Sequence, residues 1–164
     1  MTSRRVEFDL PPDPAATERC GAWLGAHLRP SDVVALVGEL GAGKTTLVRG
    51  LARGLGVDDC EAVSSPTYLL VIEHPGRVPL LHADAYLPTK LRGFLDDGGL
   101  DYLLDGRAVA VVEWGDLVRN YLPERSLWLE IRLRPDAGRH LIAEFGAGAD
   151  FSWIDAAPKM SFEG

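Results

Sequence analysis

One segment of the chain matches the phosphate-binding pattern G-x-x-x-x-G-K-[ST] at every fixed position. It consists of Gly38, Glu39, Leu40, Gly41, Ala42, Gly43, Lys44 and Thr45, and Thr46 follows it. Glycine permits backbone conformations that side chains forbid, so consecutive N–H groups can turn toward phosphate oxygens. The unsatisfied N–H donors and the positive dipole end of a following helix attract the same anion. The pattern therefore predicts a loop that binds the phosphates of a nucleotide.

Two side chains of this loop have expected roles in that chemistry. Lys44 is expected to reach the β- and γ-phosphates, and the Thr45 hydroxyl is expected to coordinate Mg²⁺. The loop follows an apolar run, Val33 to Val37, as the mechanism requires. The sequence has no NKxD motif of the kind that GTPases use to read guanine, and this absence favours ATP slightly without excluding GTP. We therefore predict ATP and Mg²⁺ as cofactors.

Two carboxylates end predicted strands and are candidates for metal binding and catalysis. A P-loop site needs an acidic residue at the end of a neighbouring buried strand, and Glu113 follows the apolar run Ala108 to Val112. Asp84 ends another strand, where it could orient or deprotonate an attacking water, or hold the metal through water. Each acid could instead mark the place where a strand meets solvent or a turn begins. His82 would share the strand face of Asp84 and is a weaker candidate for the site.

The segment Ser64 to Tyr68 lies between the helix after the loop and the next strand. Pro66 keeps Ser65 extended. Thr67 is a candidate for sensing the γ-phosphate, as residues of switch loops do. A plain connecting loop explains this pattern equally well.

The elements that must position these residues can be predicted from apolar periodicity and turn signals. The predicted strands are residues 6–10, 33–37, 67–73, 78–83, 108–112, 126–134 and 139–145. One helix is predicted to begin at Pro14, with Asp13 as its N-cap. A second is predicted to begin at Lys44 and to be closed by Gly54 and Gly56.

These elements indicate an α/β fold. A strand, a crossover helix and a buried strand predict a three-layer P-loop NTPase domain with a mainly parallel central sheet. The late hairpin adds antiparallel edge strands near the C-terminus. We predict that residues 1–146 form this single domain. Residues 147–164 are rich in Gly, Ala and Asp and are predicted to be a flexible C-terminal tail.

Composition and charge exclude several classes of protein. The chain has 164 residues and a net charge of −7, with no cluster of Lys and Arg, so direct binding to nucleic acid is not expected. Its apolar runs are far shorter than the roughly 20 residues of a membrane span. The N-terminus lacks the apolar region of a secretory signal. We predict a cytoplasmic protein whose contact with RNA, if any, passes through another protein.

The motifs together resemble those of the TsaE family, also known by the older name YjeE. In the family's order, the chain has GELGAGKTT at 38–46, SSPTY at 64–68, HADAY at 82–86 and VVEW at 111–114. The resemblance extends from about Leu10 to Phe145. The family is the ATPase of bacterial tRNA threonylcarbamoyladenosine biosynthesis, and its members act with TsaB and TsaD. The resemblance implies an ATPase that resets the TsaB–TsaD assembly between turnovers and meets tRNA only indirectly.

The resemblance also implies roles for particular residues. Glu113 matches the family's metal-binding glutamate, Trp114 matches the tryptophan after it, and Asp84 matches an aspartate needed for hydrolysis. Arg139 matches a basic residue near the nucleotide, and Thr17 an N-terminal residue there. The remaining matches, in the P-loop and the switch-like loop, are Lys44, Thr45 and Thr67.

The chain departs from the family pattern at one position. Members often have Arg after the tyrosine of HxDxY, as in HFDLYR, whereas this chain has Leu87 followed by Pro88. Any role of that arginine in partner contact or in stabilising phosphate charge cannot be carried over.

Two other functions are compatible with the motifs. A small-molecule P-loop kinase would use Asp84 as the base for an acceptor hydroxyl and would close an arginine-bearing lid over the phosphates. Only 28 residues, which include Arg92 and Arg107, separate Asp84 from Glu113, and this is little material for a lid and an acceptor pocket. A nucleotide-gated binding module would instead change its surface with nucleotide state and hydrolyse little ATP.

Overall fold

The computed structural model of the chain describes residues 3–66 and 70–159. Its strands are β1 Ser3–Leu10, β2 Val33–Val37, β3 Val71–His74, β4 Leu80–Asp84, β5 Val109–Glu113, β6 Leu127–Leu133 and β7 Arg139–Gly146. Its α-helices are α1 Pro14–His27, α2 Lys44–Leu55, α3 Pro88–Phe94 and α4 Leu100–Leu103. A kinked turn over Leu95–Gly99, in which Asp97 and Gly98 have non-helical dihedral angles, joins α3 to α4. The 3₁₀ segments are Cys60–Ala62, Gly115–Tyr121 and Ser152–Lys159. Within the described ranges, no helix is long and apolar enough to cross a membrane.

The strands form one sheet with the order β1-β7-β6-β2-β5-β4-β3. The central strand β2 is parallel to both β5 and β6, and β5 is also parallel to β4. At one edge, β7 and β1 follow β6 in antiparallel pairs, and at the other edge β3 is antiparallel to β4. The predicted α/β architecture, with a parallel centre and antiparallel strands near the C-terminus, is confirmed.

Helices cover both faces of the central strands. Val34 and Leu36 of β2 pack in one apolar cluster with α1 and α2. Val33 and Ala35 pack in a second cluster with residues of α3, α4 and the 3₁₀ segment that follows β5. Alternate residues of a strand point to opposite faces, so the two clusters are the cores of a three-layer structure. Burial on both faces explains why β2 and β5 are continuous apolar runs.

The start of α1 and the end of α2 are capped by residues that satisfy terminal backbone groups. The predicted N-cap of α1 is confirmed, because the Asp13 carboxylate accepts a hydrogen bond from the Ala15 N–H at 3.0 Å. The prediction that α2 is closed at Gly54 is wrong. A Cβ at Gly54 would lie 2.2 Å from the Ala22 carbonyl oxygen, so this glycine serves the close contact of α2 with α1. The cap is Gly56, with a left-handed φ of 75°.

The segment after β7 packs into the core. Phe151, Ile154 and Ala157 are buried in the cluster beneath α1 and α2, and Phe151 packs edge-on against Phe145 and Trp153. These three buried positions recur every third residue, which is the period of the 3₁₀ helix formed here. The prediction of a flexible tail over 147–164 did not include this packing, because a composition rich in Gly, Ala and Asp concealed the period.

We predict that Phe151→Ala lowers the free energy of unfolding by about 3–5 kcal/mol, because truncation of a packed aromatic loses apolar contacts and leaves a cavity. Urea unfolding followed by circular dichroism measures this change. The exposed neighbour Ser152 provides the control, since Ser152→Ala should change the free energy of unfolding by no more than about 0.5 kcal/mol. Equally small effects of both substitutions would contradict the packing of this segment.

Candidate functional site

The predicted phosphate-binding loop joins the end of β2 to the start of α2. Gly41 and Gly43 have φ angles of 79° and 109°, a region that side chains disfavour. At Gly38 the neighbouring atoms leave no room for a side chain, because a Cβ there would lie 2.7 Å from the Ile131 carbonyl oxygen. Gly43 directly precedes α2, so the unsatisfied N–H groups of the first helical turn follow the loop at once. The loop therefore has glycines at positions where its backbone conformation and packing disfavour a side chain.

Lys44, the first residue of α2, is largely buried beside this loop. Its Nζ donates hydrogen bonds to the carbonyl oxygens of Gly38 at 2.5 Å and Glu39 at 2.8 Å. The same atom lies 4.3 Å from the ring centre of Trp114. Burial lowers the pKa of the Lys44 amine, and the negative charge of Glu113 acts in the opposite direction. A cation is thereby held beside the loop, where phosphate oxygens would be charged acceptors for it.

The two predicted carboxylates are neighbours at the ends of adjacent parallel strands. In the register of the sheet, Leu36 of β2 pairs with Glu113 of β5, which in turn pairs with Asp84 of β4. Alternation along the strands places all three on the face that α2 covers. Glu113 is buried, and its Oε2 lies 2.5 Å from Nε2 of His82.

Asp84 is 1% exposed, and both of its carboxylate oxygens accept hydrogen bonds. Oδ1 accepts from the Tyr86 N–H at 2.7 Å, a turn contact, and Oδ2 accepts from the Ser65 hydroxyl at 2.9 Å. Sequence reasoning predicted no role for Ser65 or Tyr86, although the HADAY motif places the tyrosine two residues after Asp84. Thr67, the predicted γ-phosphate sensor of the same loop, lies outside the described residues.

Most of these side chains line one cavity of about 520 Å³. Its lining residues are Leu40, Gly41, Gly43, Lys44, Thr45, Thr46, Ser65, Tyr86, Glu113, Trp114 and Arg139. The other three loop residues, Gly38, Glu39 and Ala42, line an adjoining cavity of about 440 Å³. Asp84 is not among the described residues that line the larger cavity, and the Ser65 hydroxyl links it to that lining.

Arg139 reaches the loop from β7, which is separated from β2 by β6 in the sheet. Its Nε donates a hydrogen bond to the Ala42 carbonyl oxygen at 2.5 Å. Together with Thr17 of α1 and Thr46 of α2, it lines a further cavity of about 260 Å³ that also borders Gly43. The family resemblance implied that Arg139 and Thr17 lie near the nucleotide, and the structure places both residues beside Gly43 of the loop.

The arrangement defines a class of protein. A glycine loop that runs from the central parallel strand into a helix, and ends in lysine and threonine, is the P-loop of nucleotide-binding proteins. Thr45, which carries a hydroxyl, and Glu113, which carries a carboxylate, line the same cavity, and oxygens of these kinds are the ligands that Mg²⁺ prefers.

Comparison with known proteins identifies the family within this class. The family model described as threonylcarbamoyl adenosine biosynthesis protein TsaE matches residues 11–141. The chain is 39% identical to the tRNA threonylcarbamoyladenosine biosynthesis protein TsaE of Treponema pallidum, over 76% of this chain and 90% of that protein. It is 36% identical to TsaE of Bacillus subtilis, over 79% of each. The crystal structure of Bacillus subtilis YdiB superposes with a TM-score of 0.75 and 27% identity, over 97% of both chains. This chain belongs to the TsaE family.

We predict that Gly43→Ala destabilises the protein by about 1–3 kcal/mol, because a Cβ is strained in the left-handed region that this residue occupies. Gly93→Ala is the matched control, since Gly93 lies in α3 and a Cβ there would have no neighbouring atom within 4 Å. There the same substitution should stabilise by up to about 1 kcal/mol through helix propensity. Urea unfolding measures both changes, and a stabilising Gly43→Ala would contradict the loop conformation.

Proposed function

We propose that this chain binds Mg-ATP at the P-loop cavity, hydrolyses it, and acts with TsaB and TsaD in the threonylcarbamoyladenosine modification of tRNA in the cytoplasm. The observation that carries the proposal is that Lys44, Thr45 and Glu113 line one cavity. Membership of a family whose relatives are named for threonylcarbamoyladenosine biosynthesis indicates the pathway. The specific role, a reset of the TsaB–TsaD assembly between turnovers, follows from the resemblance of the motifs.

The nucleotide would be held by backbone on one side and by cations on the other. Backbone N–H groups of the loop and of the first turn of α2 would bind the phosphates, and Lys44 would neutralise the β- and γ-phosphates. The cavity between Arg139 and Thr17 borders Gly43, so it can take the remainder of the nucleotide. The hydrogen bond from Arg139 to the loop holds its guanidinium beside that cavity.

Thr45 and Glu113 form a donor set that fits Mg²⁺. Both supply hard oxygen ligands, and Mg²⁺ in such sites uses one or two protein ligands together with substrate phosphates and water. Magnesium, when bound, would neutralise the charge that develops on the phosphates during transfer to water. Thr45 is fixed in the first turn of α2, and Glu113 is fixed at the end of β5.

Asp84 would act on the attacking water. A carboxylate within hydrogen-bond reach, directly or through one water, can orient that water or accept its proton. Asp84 lies one strand away from Glu113 in the register of the sheet, next to the proposed metal ligand. Its bond to the Ser65 hydroxyl links its position to the loop that borders the cavity.

Partner proteins would complete the site. Within the described part of the chain, Lys44 and Arg139 are the cationic residues that line the cavity. Arg92 and Arg107, the arginines between Asp84 and Glu113, are hydrogen-bonded to other groups of the surface. Because an arginine supplied by a partner can accelerate P-loop hydrolysis strongly, we propose slow hydrolysis by the chain alone and faster hydrolysis with TsaB and TsaD. The net charge of −7 favours contact with tRNA only through these partners.

We predict that Lys44→Ala weakens ATP binding by about 100-fold or more, because phosphate oxygens lose a charge-assisted hydrogen bond in a buried setting. Isothermal titration calorimetry with ATP and Mg²⁺ measures the affinity. Lys90→Ala, which removes the same charge from an exposed position on α3, should bind as the unmodified protein does. Unchanged affinity of Lys44→Ala would refute the proposed phosphate site.

We predict that Asp84→Asn retains ATP binding but lowers the rate of phosphate release by about 100-fold, the contribution expected of a general base. Release is measured for each protein alone and with purified TsaB and TsaD. The exposed acid Asp101 provides the control through Asp101→Asn, which should leave the rate unchanged.

The same assay distinguishes the competing functions. Stimulation of the unmodified protein by TsaB and TsaD, lost in Asp84→Asn, is the expected result. Phosphate release that depends on one small metabolite would favour a kinase. Nucleotide-dependent binding to TsaB and TsaD with no release above background would favour a binding module. Full activity of Asp84→Asn would remove Asp84 from the catalytic role.

A further inference from the structure

His82 is a fully buried histidine of β4 that contacts the proposed metal ligand. It lies two residues before Asp84 on the same face of the strand, and it pairs in register with Val111 of β5. Its Nε2 lies 2.5 Å from Oε2 of Glu113, and both side chains are almost completely shielded from solvent. Its other ring nitrogen, Nδ1, is buried and has no hydrogen-bond partner among the described residues.

These contacts determine which ring nitrogen of His82 donates a hydrogen bond to Glu113. A carboxylate oxygen only accepts hydrogen bonds, so Nε2 of His82 must be the donor to Glu113. The opposite tautomer would place two lone pairs against each other and would leave a buried N–H at Nδ1 without an acceptor. An unsatisfied buried donor costs about 1–3 kcal/mol. The ring is therefore oriented with the Nε2–H donor directed at Glu113.

We propose that His82 is a positioning residue for the metal site, an inference that rests on the proposed binding of Mg²⁺ by Glu113. By holding Oε2, the ring restricts the rotamers of the Glu113 side chain and leaves Oε1 as the oxygen available to the metal. Metal-binding carboxylates are commonly oriented by such second hydrogen bonds, whose loss typically costs about 10–100-fold in metal affinity or activity.

The neighbouring lysine explains why Glu113 needs this restraint. Burial lowers the pKa of the Lys44 amine, and the negative charge of Glu113 is the largest of the effects that raise it. A free carboxylate at this position would be drawn toward that amine, and the resulting ion pair would remove both groups from the nucleotide and the metal. In the structure, Glu113 is bonded to His82, whereas Lys44 is bonded to the loop carbonyls of Gly38 and Glu39.

Two amide substitutions of His82 test the proposal. In His82→Gln the side-chain nitrogen reaches about as far as Nε2, so the hydrogen bond to Glu113 can form again. In His82→Asn it reaches only about as far as Nδ1, so the bond is lost. Calorimetry with a non-hydrolysable ATP analogue, in Mg²⁺ and in EDTA, measures the factor by which the metal tightens nucleotide binding. We expect that factor to fall about 10-fold or more in His82→Asn, to recover in His82→Gln, and the affinity in EDTA to be unchanged in both.

A Glu113→Gln background serves as the reference. With the proposed metal ligand removed, His82→Asn should cause no further loss, because coupled residues do not act additively. If His82→Asn fails to fold, His82→Leu takes its place as the variant without a donor. Equal effects of His82→Gln and His82→Asn on the factor by which Mg²⁺ tightens nucleotide binding would overturn the proposed role of His82. An unchanged factor in His82→Asn would do the same. Either result would leave the proposed metal site intact. An unmodified protein whose nucleotide affinity does not respond to Mg²⁺ would overturn the proposed metal site as well.

Discussion

The hydrogen-bond register of β2, β5 and β4 determines where the chemistry of this protein can take place. Leu36 pairs with Glu113 and Glu113 with Asp84, so the three parallel strands end together on one edge of the sheet. The P-loop leaves β2 at that edge, and α2 returns over the face to which both acids point. A shift of one residue in either pairing would turn an acid to the opposite face. The buried apolar runs of these strands resist such a shift, so the core of the protein also aligns its site.

Two contacts of α2 help to maintain this arrangement. In the first, a glycine at the contact lets α2 approach the α1 backbone more closely than any side chain would permit. In the second, Trp114 takes a left-handed φ of 58° directly after β5, and its ring lies over the Lys44 amine. Glu113 directly precedes Trp114 in the chain and is held by His82. The buried charges at this edge therefore each have a defined partner, which is what burial of polar groups requires.

The parts of the fold and site that local sequence determines were predictable. The glycine spacing of the loop, the apolar runs of β2 and β5 and the Asp13 cap each depend on a few adjacent residues, and the structure has them where the sequence predicts them. Gly54 was misread because a glycine at a helix contact and a glycine at a helix end look alike in sequence. The packing of the 3₁₀ segment Ser152–Lys159 into the core depends on contacts with residues distant in the sequence. The bonds of Glu113 to His82 and of Asp84 to Ser65 likewise depend on strand register and on the position of the loop. Neither the register nor the loop position can be derived from the spacing of residues in the sequence.

The most direct test of the account is a crystal structure with a non-hydrolysable ATP analogue and Mn²⁺ in place of Mg²⁺, with the metal located by its anomalous scattering. We expect the triphosphate along the P-loop and the metal within about 2.0–2.3 Å of oxygens of both Thr45 and Glu113, the range of direct coordination. A metal bound away from Glu113, or a P-loop without density for the analogue at millimolar concentration, would contradict the central claim that loop and strand end form one Mg-nucleotide site.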